Sequence, residues 1–380
     1  MPSASDPARR RVLIAPVPIA PTKPLTLSHV KGLLWSDVLH RATALLYPTD
    51  HLYSWTVGVD NAQTHGFWAH LEATRPGQDF TAFDEEKIGE LYVDYQRGRA
   101  SDPARPGPVD ATGTLHPASA RVLDLWTDRY RELGIADPGL RVPTVPPMTV
   151  DALVELLSRH GLCLDHRPWN GPAYLDGTAR GLPLRRLVGA DGRGNYLAGV
   201  LRELVPLIGA YDDFVLPCDT GSLPDYVLVR HVLRVLGARV TVLGVGRVRT
   251  GGTATGPPRS SRHGGWQGRT AAALAERFLD RVGPRVHRLG TRLYFIALLG
   301  RGDREPYRPD LLGRCMARAA RLLAEEDGGP GAPTAPEALA PLLRRHARPH
   351  PYVDPYRLTT ALLTRDRTPA HRTLLEKVYV

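Results

Sequence analysis

One long helical repeat set between two apolar runs restricts the fold of this chain more than any other part of its sequence. Apolar residues recur at Val30, Leu33, Leu34, Val38, Ala42, Leu45 and Leu46, a spacing that predicts an amphipathic helix over residues 29–46. A short apolar strand over residues 12–19 precedes it across a proline-bounded turn. Residues 52–59 read as a second buried strand that ends in Asp60-Asn61-Ala62-Gln63. Strand, helix, strand is the opening of a parallel sheet, because parallel neighbours need a crossover between them.

Further along, residues 83–96 read as a helix, and a Pro/Gly-rich connector over 101–117 leads to helices at 118–133 and 150–160. This stretch reads as an insertion between two half-sheets. The sheet resumes at 214–216, passes through a helix at 226–236 and continues in the β-branched run 239–245. Residues 250–268 form a Gly-rich loop without apolar periodicity, and helices fill the rest apart from a Gly/Pro linker at 327–336. No internal repeat is present.

The 380 residues suit one large domain or a few smaller ones, and 42% hydrophobic against 23% charged residues excludes disorder throughout. No apolar run reaches the roughly 18 to 20 residues of a membrane-spanning helix, so no membrane partner is expected. Arg9, Arg10 and Arg11 before the apolar residues 12–20 imitate the start of a secretory signal, but Pro16 and Pro18 break the segment, and a cytoplasmic location is expected. Cys163, Cys218 and Cys315 are too scattered for a disulfide framework or a zinc site, so reduced structural thiols are expected and no protein metal site is read. The net charge of +10 comes with no Lys/Arg block interleaved with aromatics, so charge alone names no nucleic-acid track.

Of 49 basic residues only Lys23, Lys31, Lys87 and Lys377 are lysines, and two of them flank one histidine. Lys23-Pro24-Leu25-Thr26-Leu27-Ser28-His29 lies where the first strand gives way to the helix, so backbone N–H groups and a positive helix end are on offer to a phosphate. Thr26 and His29 can reach the same oxygens and Lys23 adds a mobile cation. Equally, Thr26 reads as a helix cap and His29 as an ordinary first-turn residue. Asp60, Asn61 and Gln63 read either as holders of an amino group or as an Asx turn, and Asp219 as a ligand at a strand end or a plain loop carboxylate.

Together these segments resemble the catalytic core of class I aminoacyl-tRNA synthetases, with the arginyl type most similar. Thr26, Leu27, Ser28 and His29 stand at the positions of that family's H-x-G-H motif, with Lys23 and Pro24 before them. Asp60, Asn61 and Gln63 fall in a segment like N-D-A-G-x-Q. The stretches 130–137 and 157–161 and the Asp191-Gly192 turn up to Tyr196 resemble the inserted region, and residues 258–264 resemble the mobile K-M-S-K-S loop. The resemblance spans residues 12 to about 312 and rests on the order of four degenerate motifs.

It implies an α/β fold: a Rossmann-like parallel-sheet nucleotide-binding domain with an inserted mixed segment and a C-terminal helical region, divided at 1–100, 101–185, 186–268 and 269–380. It also implies a reaction in which a carboxylate attacks the α-phosphorus of ATP, carried by Mg²⁺, to give an acyl-adenylate and pyrophosphate. Positioning and charge stabilisation carry such a reaction without a side-chain base. Thr26, His29 and Lys23 take the catalytic roles by analogy. Ser28, Arg259, Ser260, Ser261 and Arg262 take ATP, and Asp60, Asn61, Gln63, Tyr196 and Asp219 take the amino acid.

The departures carry information too. Thr26 replaces the first motif His, Ser28 replaces the Gly against which adenine packs, and Pro258 and Arg259 replace Lys and Met. Val200 stands four residues after Tyr196, where the arginyl pattern places an Asp, and valine cannot pair a buried guanidinium, so a neutral or small side chain is expected. Only 11 residues precede the first strand and 68 follow Leu312, so loss of tRNA selection is expected, with Arg344, Arg345, His346 and Arg348 read as a solvated helix face or a reduced nucleic-acid surface. The leading expectation is an adenylating ligase that passes an amino acid to a small-molecule or carrier acceptor. Aminoacylation of a tRNA and a non-catalytic regulatory binding protein are the alternatives.

Overall fold

The computed structural model describes residues 10–53, 61–101, 115–142, 144–249, 264–327, 339–363 and 370–380. In chain order these form β1 (Val12–Ile14), α1 (Leu27–Ala44), β2 (Thr49–His51), α2 (Ala62–Thr74), α3 (Glu85–Ser101), α4 (Pro117–Leu133) and α5 (Val150–Arg159). There follow β3 (Cys163–Asp165), β4 (Ala173–Leu175), β5 (Arg185–Val188), α6 (Tyr196–Leu204), β6 (Asp213–Asp219), α7 (Leu223–Val235) and β7 (Arg239–Val245). The helices α8 (Ala271–Val282), α9 (Pro284–Arg292), α10 (Pro309–Asp327), α11 (Ala340–Ala347), α12 (Pro355–Ala361) and α13 (Ala370–Leu374) complete the chain.

Four parallel strands form the central sheet in the order β2-β1-β6-β7, so β1 and β6 join two half-sheets across the inserted residues. Side chains alternate across its faces. Val12, Ile14, Val215, Leu243 and Val245 enter a core shared with α1 and the C-terminal helices, while Leu13, Phe214, Leu216 and Val240 enter a second core with α5, α6 and α7. Thus α1, which links β1 to β2, and α7, which links β6 to β7, cover opposite faces. The strand order reverses between β1 and β6, and the crevice beyond the carboxyl ends of strands at such a reversal is where open α/β sheets bind ligands.

Several expected boundaries shift. The first strand is shorter than the expected 12–19 because Pro16 and Pro18 have no N–H, yet Ala15 and Val17 still donate to the carbonyls of Val215 and Pro217 at 2.9 and 3.0 Å. A strand stands at Thr49–His51, just before the expected 52–59, of which residues 52 and 53 are not in a strand and 54–59 fall outside the described residues. It is a polar edge strand and so carries no apolar signal. Helix α6 starts where a turn up to Tyr196 was expected. Helix α2 and the antiparallel sheet β3-β4-β5 were not anticipated, since strands of three or four residues are too short for a period to show.

A buried ion pair fixes α1. Arg292, fully buried at the end of α9, donates to the Asp37 carboxylate at 2.5 Å and to the carbonyls of Leu133, Gly134 and Arg288 at 2.8 to 3.1 Å. Arg41 holds the other Asp37 oxygen at 2.9 Å and also reaches the Gly134 carbonyl. Gly134 ends α4 at φ 66°, and a β-carbon there would lie 2.5 Å from the Arg288 side chain. Arg292→Met should therefore lower stability by about 3 kcal/mol in urea denaturation, because it removes one of the two guanidiniums that hold the buried carboxylate, whereas the double change Asp37→Leu with Arg292→Met should cost less.

Candidate functional site

The carboxyl ends of β1, β6 and β7 and the first turns of α1 enclose a cleft of about 300 Å³, at the low end of small-molecule sites. Its walls include Pro16 to Ala20 after β1, Pro217 to Asp219 at the end of β6, and Val245, Gly246 and Arg247 from β7. Lys23, Ser28, His29, Gln63, Tyr196 and Asp219 all line it. Thr26 and Asn61 are not among its lining residues, and Asp60, Arg259, Ser260, Ser261 and Arg262 lie outside the described residues.

Thr26 caps α1, and its backbone N–H donates to His29 Nδ1 at 3.2 Å, with the Thr26 hydroxyl 3.3 Å from the same nitrogen. An N–H can only donate, so Nδ1 accepts and the neutral ring carries its proton on Nε2. Burial, reinforced by Lys23 and only partly opposed by Asp219, pushes the His29 pKa down to about 3. The capping role and a place on the cleft wall are therefore compatible: Nδ1 closes the helix end, the ring proton has the Pro24 carbonyl as a partner, and the ring lines the cleft.

The turn before α1 is held from outside. Leu25 N–H donates to the buried Glu85 carboxylate at 3.2 Å, and Glu85 in turn pairs with Arg129 at 3.1 Å. Residues Thr26 and Thr270 form an antiparallel bridge, which ties the motif to the chain entering α8. Lys23, 8% exposed, stands 5.3 Å over the ring of Tyr92, whose hydroxyl meets the Gln63 amide. Asn61 caps α2, accepting from the N–H groups of Gln63 and Thr64 at 3.1 Å, which is the Asx arrangement.

Ser28, at the position where the resemblance expects glycine, uses its hydroxyl to accept from Val248 N–H at 3.0 Å. The larger side chain thus fastens α1 to the segment leaving β7. Gly246 beside it has no room for a side chain, since a β-carbon would lie 2.3 to 2.6 Å from the backbone of Gly302 and Asp303. Gly246 N–H donates to the Arg301 carbonyl at 2.7 Å, and the buried Lys31 amine donates to the Gly302 carbonyl at 2.6 Å.

On the opposite wall, Asp219 accepts from Gly221 N–H, the Ser222 hydroxyl and the Arg247 guanidinium at 2.6 to 2.8 Å. Burial works against its ionisation, and these donors outweigh it and hold the pKa below the ordinary carboxylate value. Arg247 escaped the sequence reading. The signal was its place two residues past a strand end. Tyr196 gives its hydroxyl to Asp225, which also accepts from Arg185 at 3.0 Å, and burial and then Asp225 raise the Tyr196 pKa. Val200, named in the sequence reading, and the buried Glu203, which it missed, line a small adjoining cavity that shares Pro16 and Pro18 with the cleft. Among the described residues no group of three His, Cys, Asp or Glu side chains is placed to hold a metal, and no helix is long and apolar enough to cross a membrane.

No family model matches the sequence, and no curated protein is recognisably similar to it. Solved structures are. The chain is similar to arginyl-tRNA synthetase of Thermus thermophilus, with a TM-score of 0.60 and 14% identity, covering 100% of this chain and 74% of that one. It is similar to arginyl-tRNA synthetase of Plasmodium falciparum, with a TM-score of 0.59, 12% identity and coverage of 99% and 74%. Methionyl-tRNA synthetase of Mycobacterium tuberculosis, bound by methionyl-adenylate, gives a TM-score of 0.50 at 10% identity, with coverage of 97% and 88%. At these identities the likeness is one of fold.

Two tests follow from the geometry. Asn61→Ala should cost about 1 kcal/mol in urea denaturation, the ordinary loss of a helix cap. The stability that neutral His29 contributes is fully present above its unfolded value of 6.5 and is lost as pH falls toward about 3, since the unfolded ring takes up a proton that the folded one refuses. Between pH 7 and pH 4.5, His29→Gln should therefore lose less stability than the unaltered protein, read by urea melts at both values.

Proposed function

We propose that this chain, which has the class I aminoacyl-tRNA synthetase fold, activates an amino acid with ATP as an acyl-adenylate and passes the acyl group to a small-molecule or carrier acceptor. The observation that carries the reading is the convergence of Lys23, Ser28, His29 and the α1 N-terminus at the switch-point cleft between β1 and β6. A neutral Nε2–H donor, an ammonium group and the helix end form a set of fixed donors for phosphate oxygens. In this reading Lys23 and His29 stabilise charge at the transferring phosphorus, and Thr26 holds His29 in its donor tautomer.

Ser28 bears on ATP through the segment it anchors, and residues 259–262 complete the phosphate contacts. Gln63, Tyr196 and Asp219 face the amino acid, with Asn61 fixing the start of the helix that carries Gln63 and Asp60 assigned to the same substrate by the resemblance. Mg²⁺ enters as a counter-ion on the ATP phosphates. Among the described residues the acid on the cleft wall is Asp219, and it is already engaged by three donors. Val200 supports a neutral or small acyl side chain.

Transfer to a tRNA is the second reading, and the basic run near the C-terminus bears on it. Arg344, Arg345 and Arg348 are exposed while His346 between them is buried, which makes the run the outer side of the last turn of an eight-residue helix and the residue that ends it rather than a continuous phosphate track.

ATP–pyrophosphate exchange against a panel of amino acids, with and without bulk tRNA, tests the proposal. Exchange without tRNA for a neutral amino acid is expected, and exchange only with tRNA selects the second reading. A basic amino acid as substrate would transfer the side-chain role from Val200 to Glu203, one turn on. Folded protein silent throughout would be a binding protein. His29→Ala should reduce exchange by roughly 100-fold, in line with the loss of one charge-stabilising donor. Lys23→Ala should raise the KM for ATP more than that for the amino acid.

A further inference from the structure

A second polar cavity, of about 220 Å³, lies outside the cleft between the start of α8 and the chain entering α10, lined by Arg269, Thr270, Arg277, Tyr307 and Pro309 among others. Its chemistry is one-sided. Arg269 and Arg277 form no side-chain hydrogen bond or ion pair among the described residues, the Arg277 guanidinium lying instead 5.6 Å over the ring of Phe278. Arg269, Arg277 and Tyr307 line the same cavity, and both guanidiniums oppose the rise that burial gives the Tyr307 pKa, Arg277 more strongly.

The end of α8 itself is not what remains open here. Thr270 accepts from Ala273 N–H at 3.3 Å, and Glu86 accepts from Gly268 N–H and the Thr270 hydroxyl at 3.3 and 3.2 Å. The helix end is satisfied, and the exposed Arg269 and Arg277 are the cationic groups of the pocket that remain open to an anion.

We propose that this pocket binds the terminal phosphate of a phosphate monoester, as an anion site separate from the cleft. Two arginines match the charge of a monoester, about −1.5 to −2 at neutral pH, better than the single charge of a diester. Planar guanidiniums pair with phosphate oxygens in forked geometry, and the Tyr307 hydroxyl supplies a third donor. The backbone bridge between Thr270 and Thr26 places this pocket one strand-width from the motif turn of the cleft.

Calorimetric titration with inorganic phosphate, phosphoethanolamine and dimethyl phosphate tests the assignment on the full chain. Phosphate and phosphoethanolamine should bind, and dimethyl phosphate should bind at least about tenfold more weakly. The double variant Arg269→Gln with Arg277→Gln should lose at least about tenfold in phosphate affinity while melting at the same temperature, and each single variant should lose part of that. Lys23→Ala should leave this binding in place. Unchanged affinity in the arginine variants, equal binding of dimethyl phosphate, or loss of all phosphate binding in Lys23→Ala would each overturn the proposal.

Discussion

The position of α1 depends on one buried ion pair. Asp37 and Arg292 are withdrawn from water, and that cost is offset only because the guanidinium also serves three main-chain carbonyls while Arg41 takes the second carboxylate oxygen. The result is a knot between α1, the end of α4 and the end of α9. The Trp35 indole adds a further tie by donating to the Phe295 carbonyl at 3.2 Å. Since α1 carries Ser28 and His29 on its first turn, a helix free to slide or rotate would carry the donors of the cleft with it. Conformational precision at the N-terminal end is secured about two turns further along α1, at Asp37, next to Ser36 at the inner end of the cleft.

At the cleft itself, ionisation is set by neighbours more than by residue type. Burial and Lys23 keep His29 neutral, while Arg247, Ser222 and Gly221 keep Asp219 charged. A histidine that holds a fixed tautomer offers one hydrogen in one direction, and such preoriented dipoles need no rearrangement as charge develops. Glu85 plays the supporting part: its carboxylate holds the Leu25 N–H and is itself held by Arg129, so the turn before α1 is braced from α3 and α4.

Much of this was legible in the sequence where periodicity or strand ends mark it. The α1 repeat, β7 and the turn carrying Lys23 and His29 are placed as their residues imply, and the α/β fold with two joined half-sheets follows from their order. The elements that were not legible share a physical cause. Three-residue strands such as β2 and β3 take their stability from neighbours rather than from their own pattern, and α2 has few apolar residues, with Phe67, Trp68 and Leu71 its buried anchors. At the site, His29 and Thr26 each had two readings, and only geometry shows that the cap and a place on the cleft wall coexist. Arg247 was hidden in an arginine-rich chain, where one more arginine carries no signal. Asn61 turned out to be a helix cap, while Gln63, two residues on, lines the cleft.

The close approach of Gly246 to residues 301–303 has a consequence for how relatives of this chain are to be compared. With a main-chain bond on one side and the Lys31 amine on the other, the 301–303 segment is clamped against the end of β7 at a spacing that admits hydrogen alone. A side chain at the Gly246 position therefore requires a different path for that segment. Residues 55 positions apart in the chain thus behave as a single inheritable unit, and an alignment that pairs this strand end without the distant segment will be out of register at the cleft.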